Sequence, residues 1–287
     1  MIKNNWRPWF LLFPVLMIMI IFVFFPILQT FYYSLHDFKL TRPNQIEFIG
    51  LQNYREILKN KDFYHALNNS LFILVIVVCL TMVSSLFVGI LLNIQTKMSG
   101  FLTAVAILPW ALPPLVNGII WSFIFHPTYG LLNKVLINFN LINKPVVWTN
   151  NTLTLLIIVS IIVAWRIVPF CALIILANLQ SISTDIYEAS AIDGAGKYRT
   201  FREITLPLLS PSLLVCLIQA TLAGLNVFDE VIALVEYRQD AQTLLIYNYQ
   251  NTFSFLEFGY GSAITYIIMI FTGIAGYFYV RNMTQSM

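Results

Sequence analysis

Arg166 lies inside an otherwise apolar run, TLLIIVSIIVAWRIVPFCALIIL. A cation in such a run costs about 3 kcal/mol on membrane-insertion scales, so it must have a task. Two tasks are open to it: lining a polar pathway, where the guanidinium hydrogen-bonds a hydroxyl or a phosphate, or holding neighbouring carbonyls in a structural network. Asn117, Gln219, Thr221 and Asn226 are uncharged polar residues in similar apolar surroundings, and a translocation path or interhelical hydrogen bonding explains them equally well. Trp110, Trp121 and Tyr247 offer aromatic faces on which a ligand could stack, although Trp and Tyr also serve as interfacial belt residues. Asp229 and Glu230, roughly 30 Å along a helix that starts near residue 208, are expected at the outer interface and in water.

Catalysis within the chain finds no support. There is no HExxH, no nucleophile elbow and no phosphate-cradling GxxxxGK. Cys79, Cys171 and Cys216 fall in apolar runs without paired spacing and read as packing residues. His36, His65 and His126 fall in loops without metal-ligand spacing and read as surface residues. No catalytic residue and no metal site is expected.

The elements that must position these residues follow from composition. Hydrophobic residues make up 59% of the 287, charged ones 10%, and mean hydropathy is +0.78, more apolar surface than a globular interior absorbs. A hydrocarbon core about 30 Å thick needs roughly 20 apolar residues of helix. Runs of that kind occur at 9–33, 67–93, 101–125, 153–180, 208–235 and 260–280. They are continuous and do not alternate as barrel strands do, which predicts an all-α integral membrane protein of six spans forming one domain over 1–287. The first run is too long for a signal-peptide core and no small-residue cleavage site follows it, so it is expected to stay attached.

Six spans put both termini on one side. Lys3, Arg7, Lys97, Lys197, Arg199, Arg202 and Arg281 all fall on that side, which marks it as cytoplasmic. Lys39, Arg42, Arg55, Lys59 and Lys61 in the first external loop vote the other way, offset by Asp37, Glu47, Glu56 and Asp62. The formal net charge of +3 gives no reason to propose nucleic acid. Leu51, Tyr54, Ile57 and Leu58 recur at helical spacing and predict an amphipathic helix along the outer surface. Leu131, Leu132, Val135 and Leu136 predict a second, closing the outer mouth.

The longest polar interruption runs from 181 to 207. Asp185 is placed to cap a short helix with Glu188 reaching back to its amide. Ala189, Ser190 and Ala191 are small enough for a partner to approach closely, Gly194 can end the helix in the left-handed conformation, and Arg199 pairs with Glu203 one turn on. Pro207 marks entry to the fifth span.

Glu188-Ala189-Ser190, Gly194 and, nine residues later, Ile204-x-Leu206-Pro207 resemble the EAA-x(3)-G-x(9)-I-x-L-P signature of permease subunits from binding-protein-dependent ABC importers. FPILQTFYYSLHDF, FIGLQNYREIL, LPWALPPLVNGIIWSFIFHPTYGLLN, AWRIVPF and NVFDEVIAL extend the likeness to the first permease of carbohydrate importers, the maltose and glycerol-phosphate type. Two departures stand out: Ser190 for the second alanine, and VEYRQDAQ where many relatives have a glycine-rich TGGGP stretch.

The resemblance implies a type I importer permease fold whose loop 181–207 forms a coupling helix docked on a cytoplasmic ATPase. It assigns that coupling to Glu188, Ala189, Ser190, Asp193, Gly194, Ile204, Leu206 and Pro207. It implies a bacterial inner-membrane location, a second homologous permease, two ATP-binding subunits holding ATP and Mg, and an extracellular or lipid-anchored sugar-binding protein, with no cofactor on this chain. Asn117, Trp110, Arg166, Asn226 and Asp229 are the pathway candidates, and because AWRIVPF recurs irrespective of sugar, Arg166 leans to the structural role. The alternatives are a permease for glycerol phosphate, an amino acid or a phosphonate, or an ATP-independent channel.

Overall fold

The structure is a computed structural model that describes residues 7–94 and 97–286; Lys3, used above for orientation, lies outside them. The described residues are mostly helical. In order, the elements are α1 (Leu11–Ser34), a strand pair β1 (His36–Asp37) and β2 (Glu47–Phe48), α2 (Gln52–Ile57), α3 (Lys61–Leu92), α4 (Ser99–Ile107), α5 (Pro114–Phe125), α6 (Leu131–Asn138), α7 (Thr152–Ser181), α8 (Thr184–Ile192), α9 (Lys197–Leu208), α10 (Ser210–Leu225), α11 (Asp229–Val235), α12 (Leu244–Tyr249) and α13 (Phe258–Ser286).

Four of these are long and apolar enough to cross a membrane whole: α1, α3, α7 and the Phe258–Tyr279 part of α13. Two more crossings exist if each of two bent pairs is one span: Ser99–Ala111 with Pro114–Phe125, bent by 98°, and Lys197–Leu208 with Ser210–Leu225, bent by 67°. The expected runs 101–125 and 208–235 are therefore not continuous rods. Proline explains the first break. Leu112 and Pro113 each precede a proline and both take extended ψ, 132° and 144°, because a following pyrrolidine ring disfavours helix. The run expected over 208–235 is helical to Leu225, opens at Asn226–Phe228 and resumes as α11.

Two widened π turns have the same origin. Ile20–Phe24 and Phe201–Thr205 contain the residues four before Pro26 and Pro207, whose carbonyls would otherwise meet the proline ring and have no N–H donor. The helix containing Pro207 begins at Lys197, so that residue lies within α9 and does not mark its start.

The chain divides into two compact units. One is the chain up to Tyr64 with Tyr247–Phe271; the other is His65–Ile246 with the chain from Thr272. In the first, β1 and β2 pair antiparallel with His36 opposite Phe48. Asn53, buried in α2, donates to the carbonyls of Ser34 and His36 at 2.9 and 3.1 Å, and the Tyr54 hydroxyl donates to Ser34 Oγ. The buried face of α2 is thus Asn53 and Ile57, whereas Leu51 and Leu58, expected on it, are exposed. His36 is buried too, its Nδ1 2.6 Å from the Tyr32 carbonyl, and is not the surface residue its loop position predicted.

The second unit is organised around α7, which buries fifteen side chains. Its N-terminal half packs Leu155, Val159 and Val163 against Ile73 and Val77 of α3, Val227 and Val231. Its C-terminal half packs Ile167, Cys171 and Ile175 against Leu209 and Cys216. Between helices in lipid the hydrophobic drive is small, so fit and polar contacts must do more of the holding. Cys216 Sγ donates to the Cys171 carbonyl at 3.5 Å, a packing contact that sequence spacing did not pair. Thr221 and Tyr279 join hydroxyls at 2.6 Å.

Candidate functional site

The polar loop between α7 and α10 folds as two short helices around a tight turn. Ser183, not Asp185, is the N-cap of α8: its hydroxyl accepts from the Asp185 amide at 3.3 Å. Both residues have capping side chains, and the one nearer the end of α7 takes the role, leaving Asp185 in the first turn where its charge suits the helix dipole. Gly194 has φ +74°, and the bonds Ala195 N–H to Ser190 O and Gly194 N–H to Ala191 O form a Schellman closure. Arg199 Nε donates to Glu203 Oε2 at 2.9 Å; that bond and the carboxylate's charge hold the guanidinium above its ordinary range.

The EAA-like residues divide into two faces. Ser190 is buried and its hydroxyl meets that of Thr200 at 2.9 Å, closing α8 onto α9. A serine here therefore has a partner that alanine would lack. Glu188, Ala189, Asp193 and Gly194 are exposed, as is Pro207, while Ile204 and Leu206 are half-buried in α9. Ile192 is 86% exposed and Tyr198 75%. Two such large apolar side chains stand open on an otherwise polar loop. Sequence reading missed both because they sit at unremarkable positions beside the signature.

The second cluster lies at the pathway candidates. Arg166 Nη2 is 3.4 Å from Glu230 Oε1, with the Glu230 side chain 3% exposed. Glu230 is therefore a buried counter-ion and not a solvated end of the fifth span. The fold makes this pairing because α11 presses on α5 at Gly118, where an added Cβ would stand 2.7 Å from Ala233 Cβ and 3.0 Å from Glu230 Cα. Asn117, fully buried beside that glycine, donates to the Ile162 carbonyl of α7 at 3.2 Å, one turn before Arg166. Trp121 stands edge-on to Trp165 at 5.6 Å. Asn117 Oδ1, Trp121 Nε1 and Arg166 Nε are buried without a hydrogen-bond partner.

Of the remaining candidates, Asp229 borders this cluster, its carbonyl oxygen 3.5 Å from where a Cβ on Gly118 would stand. Trp110 stacks on Phe170 at 5.3 Å, Asn226 donates to the Leu222 carbonyl of its own helix, and Asp229 is half-buried in the first turn of α11. Tyr247 is buried against Tyr260, their hydroxyls 2.8 Å apart, and offers no open aromatic face.

The VEYRQDAQ stretch has its own architecture. Glu236 takes φ +55°, a conformation that favours glycine, in the turn where a glycine-rich stretch is replaced. Arg238 then donates to the Thr149 carbonyl at 2.6 Å and to Asp240 at 2.5 Å, and Asp240 accepts from Thr152 at 2.6 Å. Burial raises the Asp240 carboxyl, but the Thr152 hydroxyl and the Arg238 guanidinium outweigh it and hold the group below the ordinary carboxylate range.

Long apolar helices, a span broken at a proline pair, polar side chains buried between helices and a capped polar loop define a transmembrane transport component. The chain belongs to the family of binding-protein-dependent transport system inner membrane components, whose profile matches residues 83–287. It is 33% identical over 261 residues to the trehalose/maltose transport system permease protein MalF of Thermococcus litoralis, covering 90% of this chain and 86% of that one. It is 33% identical over 278 residues to the sulfoquinovosyl glycerol transport system permease protein SmoG of Agrobacterium fabrum, covering 94% and 88%. A bacterial ABC transporter chain involved in import of the acidic polysaccharide alginate superposes with a TM-score of 0.80 at 20% identity, covering 98% of this chain and 97% of that one. The fold is thus that of type I ABC importer permeases.

Proposed function

We propose that this chain is one of two homologous permeases of an ATP-driven importer that carries a sugar or oligosaccharide, delivered by an extracellular binding protein, into the cytoplasm by alternating access. The sugar-permease relatives support the substrate class. The chain supplies the path and the coupling loop; two cytoplasmic ATP-binding subunits, holding ATP and Mg, supply hydrolysis, and this chain holds no cofactor. Both termini lie on the cytoplasmic side with loop 181–207.

The observation that carries the reading is the built loop: a capped helix, closed by Gly194, that turns Glu188, Ala189, Asp193 and Ile192 outward. Closing ATPase subunits push α8, and α7 and α10, which it joins, tilt with it. Ile204, Leu206 and Pro207 stiffen the return through α9. Arg166, neutralised by Glu230, acts as a strut between α7 and α11, while Asn117, Trp110, Asn226 and Asp229 remain the residues for the pathway.

In proteoliposomes holding the whole assembly, replacing Glu188 and Gly194 together by alanine and valine should abolish uptake by tenfold or more while ATP hydrolysis continues. Unchanged uptake in that variant removes the coupling role. Flux without ATP through this chain alone makes it a channel, and uptake of an amino acid or phosphonate in place of a saccharide rejects the substrate class.

A further inference from the structure

Within the second unit, an apolar groove of about 470 Å³ opens where α9 turns into α10. Met82 of α3, Leu206 and Pro207 of α9, and Leu213, Leu214 and Leu217 of α10 line it, and Ser210 is the one polar residue among them. α3 ends at Leu92, ten residues beyond Met82, so the groove lies within ~15 Å of that helix end. That depth is half of a hydrocarbon core about 30 Å thick, the reach of one leaflet.

The α9 end of the groove is basic. α9 carries Lys197, Arg199 and Arg202 against one carboxylate, Glu203, and all four are exposed. Arg199 holds that carboxylate, and Lys197 lines the cleft toward α8. Arg202 stands about one turn before Leu206, and no carboxylate among the described residues is within ion-pair distance of it. The axis of α9 departs from that of α10 by 67°. With α10 upright in the membrane, α9 therefore runs closer to the surface plane than to its normal, as a basic interfacial helix does.

We infer that this groove holds an acyl chain of an anionic phospholipid from the cytoplasmic leaflet, whose phosphate accepts hydrogen bonds from the Arg202 guanidinium. The apolar lining offers nothing to a sugar or to water, and it suits a hydrocarbon chain. The unpaired cation then selects among lipids: a zwitterionic headgroup brings its own cation beside Arg202, and an anionic one does not. A chain seated there bridges α3, α9 and α10, so its loss loosens the bend through which α8 acts on α10. The inference rests on the importer reading for the side of the membrane on which loop 181–207 lies.

The test irradiates the whole assembly, in phosphatidylcholine nanodiscs, with a trace of phosphatidylglycerol carrying a diazirine on one acyl chain, and maps the adducts by peptide mass spectrometry. Label should fall on Leu213, Leu214 or Leu217 about tenfold above that from the matching phosphatidylcholine probe. Arg202→Glu should lower it about tenfold, and Arg202→Lys should keep it within about threefold. Leu214→Trp, which fills the groove and leaves the charge alone, should abolish it. Comparing the two probes on the wild type needs no variant and decides the matter if one fails to assemble. Equal label from both probes overturns the site, and so does a groove without label, which a neighbouring subunit then covers. Competition by free glycerol phosphate as strong as by unlabelled phosphatidylglycerol assigns Arg202 to a soluble phosphate and also overturns it. If an impermeant maleimide modifies Lys197→Cys from outside intact cells, the importer reading falls together with the leaflet assignment. Failed labelling with that cysteine shielded from outside overturns the lipid site alone.

Discussion

The pairing of Arg166 with Glu230 shows what a single charge demands inside lipid. Each member alone is a buried ion, and the pair is tolerated because each cancels the other's field. Glu230→Leu should therefore destabilise the protein by about 3 kcal/mol, and Arg166→Met added to it should restore most of the loss. Thermal unfolding of the detergent-purified assembly measures both; a single variant as stable as the parent contradicts the strut. Local reading of the sequence could not find this partner, because 64 residues separate the two and helical rise alone placed Glu230 in water. It did find Arg166 itself, since a cation in an apolar run is conspicuous at any distance from its counter-ion.

At the scale of elements, α8 and its turn were legible where the signals were local. Gly194 in the left-handed region and the Arg199–Glu203 pair one turn apart both depend on residues at most five positions away. The cap was read two residues late, because Ser183 and Asp185 carry the same capping chemistry and only the end of α7 decides between them. The breaks at Leu112–Pro113 and Asn226–Phe228 were hidden by hydropathy, which averages over a run and does not register a proline pair or three open residues. The turn makes a sharp expectation. Gly194 and Gly196 both have open space for a Cβ, but only Gly194 has positive φ. Gly194→Ala should weaken the closure by about 1 to 2 kcal/mol, lowering hydrogen-exchange protection of the α8 amides near tenfold, whereas Gly196→Ala should leave it within twofold. Equal protection in the two variants contradicts the Schellman assignment.

For the whole molecule, the arrangement separates tasks along the chain. Hydrocarbon-facing length is supplied by α1, α3, α7 and α13, while the two bent pairs supply irregular backbone. The loop 181–207 joins α7, whose side chains form most of the second unit's core, to α10, so a push on α8 reaches the packed interior directly. Burial sorts the signature residues into Ser190, which holds the loop together, and Glu188, Ala189, Asp193 and Gly194, which are exposed. A photo-reactive side chain placed at Ile192 in the intact assembly should capture an ATP-binding subunit, and the same group at Ser190, turned inward on Thr200, should not. Capture from neither position, or from Ser190 alone, would contradict coupling through this loop.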